Sequence, residues 1–166
     1  MAEHIPYTID YSGRQVDVEL LQSIARPVVL ESVTVSSVTQ PAKIVTGIQK
    51  LVQRYTSLLL AITGTTHFDS GNGSVLLDRV MRGAITTKGR LINAFAIANG
   101  QAIKQLKRDD KQTDIFGSMP DDEQIQTATL LNADIDHETA TAYLQVQITS
   151  RAGDNITFIV PTTAPR

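Results

Sequence analysis

Between residues 43 and 63 the apolar positions fall at Ile44, Ile48, Leu51, Val52, Tyr55, Leu58, Leu59 and Ile62. That spacing lays them along one stripe of a helix. The pattern predicts a helix from about Lys43 to Thr63, with Lys50, Gln53, Arg54 and Ser57 mainly off the stripe. Gly64 stands where a residue past a helix end accepts positive φ. A polar loop, Thr65–Gly73, follows. Ser74 is placed to cap a second helix from Val75 to Ile85. A third helix is predicted from about Lys88 to Gln112, its inner side marked by Leu91, Phe95, Ala98, Ala102, Ile103 and Leu106. Gly100 inside it costs about 1 kcal/mol relative to Ala. Phe116–Pro120 breaks the helical pattern.

The period then changes. Ile125–Thr127 and Leu130–Ile135 read as extended, and Asp136–Thr139 as a turn. Ala142, Leu144, Val146 and Ile148 alternate with Tyr143, Gln145, Gln147 and Thr149, the clearest strand pattern in the chain. Arg151–Asn155 reads as a turn and Ile156–Val160 as a last strand, ended by Pro161. Upstream, Tyr7, Ile9 and Tyr11 suggest a short extended arm. Residues 14–26 fit a brief helix, and residues 28–35 fit a strand. Helices in the middle and strands at the end make an α+β pattern, with amphipathic helices packed against a C-terminal antiparallel sheet. Two parts are expected: an N-terminal arm with short elements over residues 1–42, and an α+β domain over residues 43–166.

Composition narrows the chemistry. The 166 residues hold no cysteine and three histidines, His4, His67 and His137. Disulfides, thiolate zinc sites, iron–sulfur clusters and a cysteine nucleophile are thereby excluded. No apolar run approaches the roughly 20 residues needed to span a bilayer. The first residues lack the pattern of a secretory signal, so a protein that stays where it is made is expected. Aromatics make up 5% of the chain, so Leu, Ile, Val and Ala must fill the core.

Charge is sharply partitioned. Residues 43–108 carry ten basic and two acidic side chains, and residues 109–138 carry one basic and nine acidic. Two solvated faces that neutralise one another explain this most simply. A subunit with opposite patches, suited to head-to-tail or multi-partner assembly, is the alternative.

Candidate chemistry is thin. His67, Asp69 and Ser70 hold the residue types of a hydrolase triad, but residues this near in sequence rarely converge, and no G-x-S-x-G elbow accompanies them. His137 with Asp134, Asp136 and Glu138 has the residue types of a metal site on the spacing of a hairpin turn. Gly71–Ser74 lacks the lysine of a phosphate loop. Asp121–Glu123 lacks a calcium-loop pattern and reads as a solvated, acidic lead-in to a strand. Arg79, Arg82, Lys88 and Arg90 offer a basic cluster for phosphates, without aromatics nearby for stacking. No catalytic, cofactor or metal residue is assigned, and no enzyme is expected. The alternating terminal strands do offer an edge, which can take up a foreign strand through backbone hydrogen bonds.

The segments Gly47–Arg54 and Leu58–Gly64, the glycine-bearing loop and Leu76–Leu77, followed by Asp122–Ile125 and the terminal strands, resemble the lysozyme-like baseplate wedge family of phage tails. That family also supplies sheath initiators in contractile tails. The resemblance spans roughly residues 44–160. It implies a structural subunit of the virion tail baseplate, made in the host cytoplasm. Such a subunit docks other baseplate, wedge, tube or sheath proteins through its C-terminal sheet, in several copies ringed around the tail hub. It implies no membrane, specific nucleic acid or small-molecule partner and, without a recognisable pair of catalytic carboxylates, no glycosidase. Family members often carry Glu-Pro-Arg before the first terminal strand, in contact with the wedge's helical core. Here Asp122–Glu123–Gln124 stands instead, so the acidic part of that contact falls to Asp122 or Glu123 and the basic part is lost. With these three, Tyr143, Val146, Ile148, Ile156 and Phe158 are the expected partner contacts. A small nucleic-acid-binding or hydrolase-like domain is the alternative reading.

Overall fold

The computed structural model describes residues 17–18, 44–64, 71–113 and 119–163. The expected arm at 7–11, the strand at 28–35 and the loop holding His67, Asp69 and Ser70 lie outside these residues, as does all but two residues of the helix expected at 14–26. Those two, Asp17–Val18, are extended instead and form β1, which pairs antiparallel with β2, Ile44–Val45. Helix α1 therefore begins later than the apolar stripe, at Gly47, and runs to Leu60. Gly64 does take positive φ, but three residues beyond the helix cap at Ala61.

Helix α2 is one short piece, Leu76–Met81, closed by Gly83 at φ +66°. Helix α3, Lys88–Thr113, matches its apolar pattern almost residue for residue. A single 3₁₀ turn, Asp121–Glu123, leads into three strands: β3 (Ile125–Asp136), β4 (Thr141–Ser150) and β5 (Asn155–Thr163). The arrangement is α+β, with the helices preceding a three-stranded antiparallel sheet of order β3-β4-β5.

Two expectations about the sheet are corrected. The two extended pieces before residue 136 are one strand, made continuous by bulges at Gln126 and Leu131, where the register with β4 shifts. Pro161 does not end the last strand. It lies opposite Tyr143, and its neighbours Val160 and Thr162 face Leu144 and Ala142. On an edge strand its nitrogen points away from β4, where a missing N–H disrupts no ladder bond.

The sheet has a dry face and a wet face. Ala133, Leu144 and Val160 form one cross-strand row on the dry side, and Leu130, Val146 and Phe158 another. Against them pack Leu51, Tyr55 and Leu59 from α1, Leu76 from α2, and Leu91, Phe95, Ala98 and Leu106 from α3. Tyr55 meets Phe158 edge to face at 6.2 Å. Its hydroxyl donates to Asn99 Oδ1 at 2.8 Å, and Asn99 Nδ2 donates to the Ala128 carbonyl at 3.0 Å. One polar chain thus runs from α1 through α3 to β3 inside an otherwise apolar core.

The loop before α2 is held by side chains of α3. Gln105 accepts from the Gly73 amide at 3.0 Å and donates to the carbonyls of Gly71 and Gly73. Gln101 accepts from Val75, and Arg108 donates to Asn72. Ser74 is buried: its hydroxyl accepts from Leu76 N and donates to the Leu59 carbonyl at 2.6 Å. It serves the helix start from one position earlier than a cap, because Val75 occupies the cap itself. Gly73 sits at φ +108°, where a Cβ would lie 2.7 Å from the Ala61 carbonyl oxygen.

Gly73→Ala should destabilise the fold by about 3 kcal/mol, because left-handed strain and a backbone clash coincide. Gly83→Ala, at positive φ with open space around it, should cost only about 1 kcal/mol. Urea unfolding of the two variants checks the difference.

The hydroxyl of Tyr55 yields a pH-dependent prediction. Burial pushes this phenol well above its usual range near 10. The folded state keeps the proton while the unfolded chain releases it above about pH 10. This group therefore lowers stability as pH rises past 10, by about 1.4 kcal/mol per unit. Tyr55→Phe should be about 1 kcal/mol less stable than the parent at pH 7, since Asn99 loses its donor. The gap should narrow between pH 10 and 11 in paired urea titrations.

Candidate functional site

Helix α1 presents Gly47, Lys50 and Arg54 in a line beside its apolar stripe, and the 3₁₀ turn lies along that line. Glu123 is 1% exposed. Its Oε2 meets Lys50 Nζ at 2.8 Å, and its Oε1 accepts from the Gly47 amide at 3.2 Å. Arg54 reaches past it, donating to the Glu123 carbonyl at 3.4 Å, to Met119 Sδ at 3.2 Å and to Asp110 Oδ1 at 2.9 Å. One acidic turn therefore ties the start of α1, the end of α3 and the entry to β3. Gly47 has φ +62°, and a Cβ there would come within 2.8 Å of Asp122 Oδ2. Glycine is what lets the turn close onto the helix start.

The lead-in is also tied to the far hairpin. Gln124 donates to the Met119 carbonyl at 2.6 Å and accepts from Arg151 Nη1 at 2.9 Å, while Arg151 N donates to the Gln124 carbonyl. Arg151 lies 3.8 Å from Asp121 as well. The acidic lead-in is a clasp between α1 and the β4–β5 turn, where the sequence suggested a solvated segment.

This changes the meaning of several expected contact residues. Glu123 is enclosed, and its carboxylate is spent on Lys50 and Gly47. Val146, Ile148 and Phe158 face the helices within the core, and Ile156 is half-buried beside them. Their side chains are packing residues, because the alternation that suggested a docking strand is the alternation of a dry face. Asp122 and Gln124 are half-buried. Tyr143 is exposed on the wet face, opposite Asp134. Strand β4 is paired on both sides and offers no edge.

Among the described residues the edges belong to β3 and β5. On β3, the Ala128 carbonyl is taken by Asn99, and the amides of Ala133 and Ile135 are taken by the adjacent side chains of Asn132 and Asp134, at 2.9 and 3.0 Å. With two bulges added, this edge is well protected. On β5, the ladder parity that turns Pro161 outward also turns out the backbone of Thr157 and Ile159. Pro161 protects one end of this edge, and the stretch from Thr157 to Ile159 keeps its donors and acceptors toward the outside.

Two residues of the basic cluster have local partners. Arg82 pairs with Asp78 at 2.7 Å, and Arg90 bonds Thr86. At the β3–β4 turn, Asp136 accepts from the Thr139 hydroxyl and from the amides of Glu138 and Thr139, which hold its carboxyl below the usual range, with His137 adding a smaller charge effect. Its lone pairs thus close the hairpin. Among the described residues no helix is long and apolar enough to cross a membrane.

Sequence reasoning missed two groups. The Gly47–Lys50–Arg54 line was legible as a polar seam at intervals of three and four, and so was Gln101–Gln105–Arg108. Nothing in the sequence named their partners, which lie 26 to 76 residues away. No known protein family, curated protein or solved structure matches the chain.

Glu123→Gln should cost about 3 kcal/mol, because it removes the charged partner 2.8 Å from the buried Lys50 ammonium while keeping an acceptor for Gly47. Adding Lys50→Met should recover most of that loss. Thermal and urea unfolding of the two chains measure it.

Proposed function

We propose that the chain is a structural subunit of a phage tail baseplate, of wedge or sheath-initiator type, that joins neighbouring tail proteins through its C-terminal sheet. The observation that carries this reading is the β5 edge. Thr157 and Ile159 turn their backbone outward from a sheet whose other edge is occupied by its own side chains and by α3. A strand laid there gains main-chain hydrogen bonds without rearranging the core.

The order of elements supports the reading. A stripe-bearing helix, a glycine loop, a short helix, a long helix and an acidic turn precede the three strands, as the resemblance implies. The clasp at Glu123 adds a mechanical argument. It fixes the sheet to α1 through buried polar contacts, so load applied at the β5 edge passes into the helices and does not peel the sheet away. The same contacts reassign the acidic lead-in from a partner to the subunit's own frame.

Mass spectrometry and cryo-EM of tail particles encoded by the same genome test the proposal. Copies of the chain at the baseplate, with a neighbour's strand beside β5, are expected. Intact tails lacking the chain overturn it. Thr157→Pro removes one outward donor; it should leave the chain folded to within about 1 kcal/mol and prevent its incorporation into tails. Val146→Pro, inside the central strand, should abolish folding. Thr157→Pro chains that incorporate normally would show that β5 is not the docking edge.

A further inference from the structure

Helix α3 turns its apolar side to the core, and its outer side carries charge of one sign. At about 100° per residue, Arg90, Lys104, Lys107 and Lys111 fall within one strip about 100° wide, and all four are exposed. The helix has two carboxylates, and neither lies in that strip. Asp110 turns inward to Arg54, and Asp109 lies 3.5 Å from Arg108. Among the described residues none of the four cations forms an ion pair. The Arg90 guanidinium bonds the neutral hydroxyl of Thr86. From Arg90 to Lys111 the row is roughly 32 Å long. Its middle, between Arg90 and Lys104, is a stretch of roughly 21 Å without a cation, and it holds Asn93, Ile97 and Gly100.

We propose that this face of α3 binds the backbone of duplex DNA without reading its sequence. A duplex carries about one negative charge per 1.7 Å of axis and turns once in about 34 Å, so the row spans close to one turn. The cation-free middle is longer than the major groove is wide, about 12 Å. Arg90 therefore reaches one phosphate backbone and the lysines the other, with small or neutral side chains over the groove between them. Other anionic partners fit this row less well. A helix lying on a membrane turns a broad apolar face to the lipid. That face of α3 is buried in the core, and Ile97 is the one large apolar side chain in the row. An acidic protein anchors on clustered aromatic or aliphatic side chains, and the row has that single isoleucine. Duplex RNA has a major groove too deep and narrow for side chains to enter. The contact is separate from the β5 edge and does not rest on the subunit reading.

Fluorescence anisotropy of a labelled DNA duplex of about 20 base pairs tests the contact with the full chain. Binding with Kd below about 10 µM at about 0.02 M salt is expected. It should weaken with a log–log salt slope of about −3 to −4, since each of four phosphate contacts contributes about −0.9. No binding at about 100 µM chain in that buffer, or a slope shallower than about −2, overturns the proposal. Lys104→Gln with Lys107→Gln and Lys111→Gln should weaken binding at least about thirtyfold and bring the slope to about −1. Lys104→Arg with Lys107→Arg and Lys111→Arg should bind like the parent. Thr127→Glu with Ala152→Glu and Thr163→Glu, at exposed positions off α3, lowers the net charge equally and should weaken binding less than about threefold. Equal losses in the glutamine and glutamate chains overturn the assignment to this face. If circular dichroism shows the glutamine chain unfolded, single exchanges at Lys104 and Lys111 decide, each expected to reduce the slope by about 0.9. Binding to poly-glutamate, to phosphatidylserine vesicles or to duplex RNA as tight as to duplex DNA overturns DNA as the occupant.

Discussion

A single enclosed carboxylate organises this molecule. Glu123 takes the Lys50 ammonium on one oxygen and the Gly47 amide on the other. Removing charges from water is expensive, and a buried pair repays that only when its geometry is good and its remaining valences are met. Both conditions hold here. The acceptor oxygens are each engaged, and Arg54 secures the backbone carbonyl of the same residue. In return the pair fixes register. A carboxylate with two named donors is directional where hydrophobic contact is not.

From that fixed point the remaining polar contacts divide the work. The Tyr55–Asn99–Ala128 chain sets the height of α3 over β3. The glutamines of α3 set the loop that precedes α2. Apolar burial provides most of the stabilisation, but it is poorly directional. The polar contacts select among packings of similar burial.

The sequence disclosed local periodicity well and partnership poorly. Helix α3 and strand β4 were legible because each has a long uninterrupted pattern, one at the helical period and one at two. The start of α1 was misplaced because Ile44 keeps the stripe going while it belongs to a strand with β1. The last strand was cut short because proline usually ends strands, and only the edge position of β5 exempts Pro161. The acidic lead-in was the deepest misreading. Three acids in a row look solvated, and the residue that turns inward is marked only by a lysine 73 positions earlier. For the same reason Val146, Ile148 and Phe158, which the alternation offers as contacts, lie in the core. Alternation tells that a strand has two faces, but not which one the helices cover.

Helix α2 depends on hydrogen bonds borrowed from its neighbours. Its six residues start without a cap of their own, and the amides at its start are received by Gln101, Gln105 and the Ser74 hydroxyl. A helix this short has no independent stability in water. It persists only while α3 stands beneath it. Deuterium uptake at Gly73, Val75 and Leu76 would therefore follow the opening of α3, making this stretch part of the same cooperative unit despite its place near the surface.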